Sequence, residues 1–288
     1  MVFVDKAPLG FVTFAQNTQD VDYLELAYLQ ALNIKATQTN NQCAVIVDLA
    51  TKEKINERHR NTFDYIIDLP TDNNSSTSNW KLANEYQVFR LTPFKETIKL
   101  ESDLLFTGSV DHWWPALRLR NVVLSTGCRD YQGNLSDVRK YRQFFDDNNL
   151  PDVYNGLMYF RYSQEAFNFF AAAETVFQNW KDIKDQFKNC REDTPSTDVL
   201  YAITALLVGE ETCTIPSLDF INFVHMKSGI QGWSDARTWT ETVVGERDED
   251  IIRINNINQY HPVHYYDKNY ATEELIKYYE SRTANILG

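Results

Sequence analysis

The chain has 288 residues, 43% of them hydrophobic and 14% aromatic, enough to bury a sizeable core in one large domain or a domain with a small lobe. A formal charge of −12 opposes general adhesion to nucleic acid, because a polyanion is held mainly by lysines and arginines that displace its counterions. The four cysteines, Cys43, Cys128, Cys190 and Cys213, form no C-x-x-C pair, which argues against a zinc site or a disulfide framework. With no signal-peptide pattern at the start and no run of 18 apolar residues, a soluble cytoplasmic protein with reduced thiols is expected.

In chain order, Gly10 to Ala15 reads as a buried strand, and the apolar spacing from Val21 to Ile34 predicts a helix. Cys43 to Leu49 is a second apolar run, Thr51 to Arg58 a short helix and Phe63 to Leu69 a third strand. Strands alternating with helices imply a parallel sheet. The polar stretch Thr71 to Asn79 reads as a surface loop. Trp80 to Arg90 looks helical, Thr97 to Phe106 is a strand interrupted by acids, and Val122 to Ser125 and Tyr154 to Arg161 are further strands. Two amphipathic stretches, Glu165 to Trp180 and Ser196 to Val208, precede a late strand, Phe220 to His225, and a last helix from Ala271 to Arg282. The fold class expected is α/β, a mostly parallel central sheet flanked by helices over residues 1–234, with a C-terminal extension, residues 235–288, packed on the same domain.

Within the run IKLESDLLF, Glu101 and Asp103 stand two residues apart between apolar stretches. A strand period of two points both to one side. Two ionised carboxylates buried together are unfavourable unless something positive lies between them. A hard divalent cation, magnesium or manganese, meets that need with carboxylate oxygens and substrate phosphates. Taken alone, the tripeptide reads sooner as an exposed turn joining two strands.

His225 ends an apolar strand and leads into MKSGIQGW, where glycines let backbone amides approach phosphate and Lys227 can neutralise a diphosphate. A neutral imidazole there can ligate a metal. His261 and His264 are rival candidates, and the glycine-rich context is what sets His225 apart. Between Arg118 and Arg142 the chain carries a net +4, which reads as a face for a phosphate-bearing partner or as a solvated helix surface.

Together these residues resemble the metal-dependent glycosyltransferases of the glycogenin and galactinol synthase type, whose nucleotide-sugar-binding fold is called GT-A. The likeness runs from about Gly10 to Trp233. It implies a divalent cation, Mn2+ or Mg2+, held by Glu101, Asp103 and His225, with Glu101 standing where an aspartate is usual. It also implies a nucleotide-sugar donor, a uridine one above all, lined by Thr13, Ala15, Asn17, Ser102, Lys227, Gly229 and Trp233. Asn155, in NGLMYF, and Asp198, at the head of a helix, take the catalytic positions that orient the sugar. The family's upstream lysine is replaced by Glu85, and Gln231 and Gly232 stand in place of its closing lysine and proline. Retention of anomeric configuration follows from the same resemblance.

The HWW, NGLMYF and HMKSGIQGW segments are also similar to glycosyltransferases of large tailed bacteriophages, some of which decorate modified DNA bases. That similarity makes a hydroxylated or hydroxymethylated base in phage DNA one acceptor, with Arg129, Arg139, Lys140 and Arg142 as its contacts and the host cytoplasm as the location. The alternatives are a protein, lipid or glycan acceptor, or a non-catalytic nucleotide-sugar-binding protein.

Overall fold

The computed structural model describes residues 6–73, 83–135, 142–215, 221–227, 239–248 and 251–287. Six strands form the central sheet: β1 (Ala7–Ala15), β2 (Cys43–Val47), β3 (Tyr65–Asp68), β4 (Phe94–Leu100), β6 (Val122–Thr126) and β7 (Val153–Arg161). Their order is β3-β2-β1-β4-β7-β6. All run the same way except β7, which is antiparallel to both β4 and β6. The chain is therefore a mixed α/β protein with a mostly parallel sheet flanked by helices.

Alternation along the strands feeds two cores. Phe11, Cys43, Val45 and Val47 face one side with Leu24, Leu32 and Tyr279. Val12, Phe14, Ala44 and Ile46 face the other with Phe169, Phe170 and Tyr201. The strands read as continuous apolar runs because both faces are covered. The first layer holds the helices Tyr23–Thr37 and Glu273–Leu287, the second the helices Gln164–Gln178 and Thr197–Val208. The first pair is joined by polar contacts: Asn33 Nδ2 donates to the Tyr279 hydroxyl (2.8 Å) and Tyr28 donates to Glu280 (2.8 Å).

Several expected elements differ; of Trp80 to Arg90, residues 80–82 lie outside the described residues and the rest holds only the short helices Glu85–Gln87 and Val88–Leu91. In place of one helix from Thr51 to Arg58, the chain forms Leu49–Lys52 and Glu57–Thr62. Asp48 caps the first by accepting from the Thr51 N–H, and Asn56 caps the second. A capping asparagine takes non-helical backbone angles, so it divides the stretch. Likewise β4 ends at Leu100, Glu101–Asp103 form a turn, and a two-residue strand, β5 (Leu104–Leu105), follows. Thus a turn, and not strand alternation, presents the two acids. Its backbone is satisfied from outside: the Glu101 N–H donates to the Gly156 carbonyl (3.1 Å) and the Gln30 amide donates to the carbonyls of Glu101 (2.5 Å) and Leu104 (2.9 Å).

The C-terminal part completes this end of the sheet. A second small sheet has the order β5-β12-β8, where β8 is Val224–His225 and β12 is Val263–His264. A third, antiparallel, contains β9 (Gly245–Asp248), β10 (Ile251–Ile254) and β11 (Ile257–Asn258). Because β12 lies between β5 and β8, His264 stands opposite both Leu104 and His225. No helix among the described residues is long and apolar enough to cross a membrane.

Candidate active site

At the carboxyl ends of β1 and β4, three donors converge: one atom each of Glu101, Asp103 and His264 lies within 4.8 Å of the others. His264 Nε2 is 3.1 Å from Glu101 Oε2 and 3.0 Å from Asp103 Oδ1. Lys268 forms an ion pair with the other Asp103 oxygen, Oδ2. Burial opposes ionisation of Asp103, but His264 and Lys268 outweigh it and hold its carboxyl well below the ordinary carboxylate range. Burial likewise disfavours a charged His264, yet Asp103 and Glu101 prevail and raise its pKa. The donor set of two carboxylates and one imidazole fits a divalent cation that accepts oxygen with some nitrogen.

Of the expected ligands, Glu101 and Asp103 meet, and the imidazole beside them is that of His264. His225 sits in the next strand with its ring stacked on His264, centroids 4.6 Å apart and planes 4° from parallel. Burial, with help from the charges of His264 and Lys227, pushes the His225 pKa well below its usual 6.5. His225 therefore belongs to the site but lies outside the three-donor group found among the described residues.

Behind the acids runs a buried polar chain that neither composition nor motif predicted. Lys99, with no exposed side-chain surface, pairs with Glu85 (Nζ–Oε2 2.5 Å) and donates to Asn155 Oδ1 (2.9 Å). The Asn155 amide in turn donates to Glu85 and to Glu101 Oε1 (3.0 Å). Burial, only partly offset by Lys99, pushes the Glu85 pKa up. The position where the resemblance leads one to expect a lysine thus carries the partner of a lysine supplied by β4.

Asp198 stands in the first turn of Thr197–Val208, whose start is fixed by the Ser196 cap. Its Oδ1 accepts from the Asn155 backbone N–H (2.7 Å) and its Oδ2 from Arg142 Nη1 (2.6 Å). The two residues expected to orient a sugar are therefore bonded to one another. Arg142 is 2% exposed, lies between the rings of Phe145 and Tyr154 at 3.6 and 4.1 Å, and also pairs with Asp152. Its charge is turned inward and away from any acceptor surface, because Asp198, Asp152, the Val153 carbonyl (2.6 Å) and two rings hold the guanidinium in the interior.

The other expected positions have definite places. Thr13, at the end of β1, donates to the Leu100 carbonyl (3.0 Å), and Ala15 is fully buried. Asn17 uses its side chain locally, accepting from the Leu24 N–H (2.9 Å) and donating to Asp22 (2.8 Å). Ser102 is buried within the acidic turn. Lys227 lies over the Tyr266 ring at 5.5 Å. Arg129 donates its N–H to Phe223 and accepts from the His225 N–H, so its backbone runs beside β8. Gly229, Trp233, Arg139 and Lys140 lie outside the described residues. His264, Lys99 and Lys268 are the residues that sequence reasoning did not assign. A lysine inside the apolar run TIKL was a signal for Lys99; nothing local distinguished Lys268.

No protein-family model matches the chain, and no curated protein sequence does. Among solved structures, it is similar to the apo form of WbbM, a bifunctional glycosyltransferase: TM-score 0.46, 12% identity, 79% of this chain and 41% of that one. It is similar to mouse xyloside xylosyltransferase 1 in its apo form: TM-score 0.46, 10% identity, 73% of this chain and 84% of that one. It is also similar to the galactosyltransferase LgtC in complex with donor and acceptor sugar analogs: TM-score 0.44, 14% identity, 71% of this chain and 72% of that one. The chain thus spans less than half of the first of these proteins.

Proposed function

We propose that this chain is a divalent-metal-dependent glycosyltransferase that moves a sugar from a nucleotide-sugar donor, preferably a uridine one, to a hydroxyl acceptor. The observation that carries the reading is the convergence of Glu101, Asp103 and His264 at the carboxyl end of a mostly parallel sheet, where open α/β folds place their ligands. Lys268, and the Asn155–Asp198 pair joined to Glu101, surround that group.

Glu101, Asp103 and His264 would hold the cation, and its Lewis acidity would offset the charge of a departing diphosphate. The residues of the chain do the rest. Asn155 is fixed on both sides, its N–H by Asp198 and its side chain by Lys99 and Glu85, and its buried amide donates to Glu101 Oε1, so it holds that carboxylate in place at the site. Lys227 and Lys268 offer positive charge to phosphate. Retention of configuration, which the resemblance implies, would require no dedicated general base.

For the acceptor, the reading favours a protein, lipid or glycan hydroxyl over a hydroxymethylated DNA base. The net charge is −12, and Arg142, one cation of the basic stretch, is buried. A DNA acceptor would give binding that weakens steeply with added salt, whereas a neutral glycan is nearly indifferent.

The test is thermal stabilisation by nucleoside diphosphates with and without Mn2+, together with transfer or slow hydrolysis of the matching nucleotide sugar. A ligand at 100 times its dissociation constant stabilises by about 2.7 kcal/mol. Asp103→Asn and His264→Ala should lose the metal-dependent shift, and His225→Ala should keep part of it. A fully active Asp103→Asn protein overturns the assignment.

A further inference from the structure

The acids already have a cation of their own. Lys268 arrives from the turn Lys268–Tyr270, whose start is held by Asp267 accepting from the Asn269 N–H. Asp267 is itself bound by the Thr240 hydroxyl. Just before it, Tyr266 takes a left-handed backbone, φ 56°, a conformation that costs free energy in a bulky residue and concentrates at functional sites. The backbone beneath Lys268 is therefore firmly placed.

Its side chain is differently held. The ammonium pairs with Asp103 Oδ2, the oxygen that does not face His264. Asp103 is 5% exposed and the lysine side chain 28% exposed, so the lysine approaches the carboxylate from the solvent side. On that side the rings of Tyr23 and Tyr266 lie 5.7 and 5.4 Å from Nζ. Aromatic faces tolerate an ammonium, which gives it a place to stand when it is not on the acid.

Resting on the metal reading above, we infer that Lys268 is an exchangeable counter-cation. In the absence of ligand it neutralises Asp103 and competes with a divalent cation for that carboxylate. When a donor is bound, it moves from Asp103 to the diphosphate. The physical ground is charge: an ammonium and a divalent cation a few ångströms apart repel strongly at a partly buried site, while a diphosphate gives the displaced ammonium a new anion. The consequence is coupling, in which metal and nucleotide each bind better in the presence of the other.

The test measures Mn2+ binding by the paramagnetic resonance of the free ion, with and without uridine diphosphate, in wild type, Lys268→Met, Lys268→Gln and Lys268→Arg. Nucleotide binding at saturating Mn2+ is followed by calorimetry. Lys268→Met should bind Mn2+ alone about tenfold tighter or more, and bind the diphosphate about tenfold weaker or more, the scale of one lost charged hydrogen bond. Lys268→Gln should behave alike, and it carries the test if the Met variant does not fold. Lys268→Arg should stay near wild type. Opposite signs for the two ligands are the diagnostic, since structural damage weakens both. If the neutral variants bind Mn2+ no tighter than wild type, the exchange is wrong while the metal site stands. If wild type binds no Mn2+ even with the diphosphate, the metal reading falls, and this inference with it.

Discussion

Replacing Lys99 by methionine tests the buried chain behind the acids. The pair it breaks has side-chain exposures of 0% and 5%, so the carboxylate left on Glu85 has no solvent to turn to. Its remaining partner is the Asn155 amide. Breaking a buried ion pair from one side costs about 3–5 kcal/mol, because the survivor is uncompensated. Removing both charges, in Lys99→Met with Glu85→Gln, leaves only neutral hydrogen-bonding groups, and the double variant should be about 2 kcal/mol more stable than Lys99→Met alone. Urea unfolding followed by circular dichroism reads both numbers. The pH dependence gives a second handle. Burial already raises the Glu85 pKa above its ordinary 4.5 against the pull of Lys99, and losing the lysine raises it further. A carboxyl with a raised folded-state pKa binds more protons folded than unfolded, so its penalty is absent below the unfolded value and grows as pH rises through the folded one. Lys99→Met should therefore be least destabilised near pH 5 and most at pH 8. A cost under about 1 kcal/mol, or a double variant as unstable as the two single changes added together, refutes the view that this pair is electrostatically coupled.

Three further outcomes follow from the packing. Gly10→Ala places a methyl carbon 2.4 Å from the Phe94 ring, which is wholly buried, so it should cost about 1–3 kcal/mol by overpacking, and Phe94→Leu in the same background should recover part of it by calorimetric melting. Arg142→Met leaves Asp198 and Asp152, both partly open to solvent, without their shared cation and should destabilise by about 1–3 kcal/mol, with no change in the salt dependence of acceptor binding, whereas a surface contact would show the reverse. His59 accepts the Asn56 N–H through Nδ1 (3.2 Å), and burial lowers its pKa from 6.5. The unfolded chain thus takes up the proton first, and stability falls as pH drops below about 6.5; the pH-stability curve of His59→Gln should lack that component, and an unchanged acid limb refutes it.

The central sheet was legible because its strands are covered on both faces. Such strands announce themselves as uninterrupted apolar runs: GFVTFA, CAVIV and YNGLMYF coincide with β1, β2 and β7. What failed was punctuation. Asn56 sits in a helical pattern yet caps a new helix, and Glu101–Asp103 sit in a strand pattern yet turn. In the first case the decision is local, a capping box in which His59 Nδ1 accepts from the Asn56 N–H; in the second, tertiary partners decide, Gln30 and Gly156. A period read from a single chain segment carries no information about a carbonyl satisfied by an amide some seventy residues away in the sequence, as Gln30 satisfies Glu101 (|i−j| 71).

The histidine shows the same limit at the site. His225 has a motif around it, and His264 has only YHPVHYYDK. The choice between them is made by a two-residue parallel pairing, His264 against His225, and an antiparallel one, His264 against Leu104. Being next to β5, whose preceding turn carries the acids, gives His264 the carboxylates; being one strand further gives His225 a stacking place. Once one imidazole carries charge beside Asp103, a second ring at 4.6 Å is driven neutral by burial and by that same charge. Local context marks a histidine as fit for chemistry, but strand order assigns the chemistry, and here the strand that receives it lies beyond the region that resembles any motif.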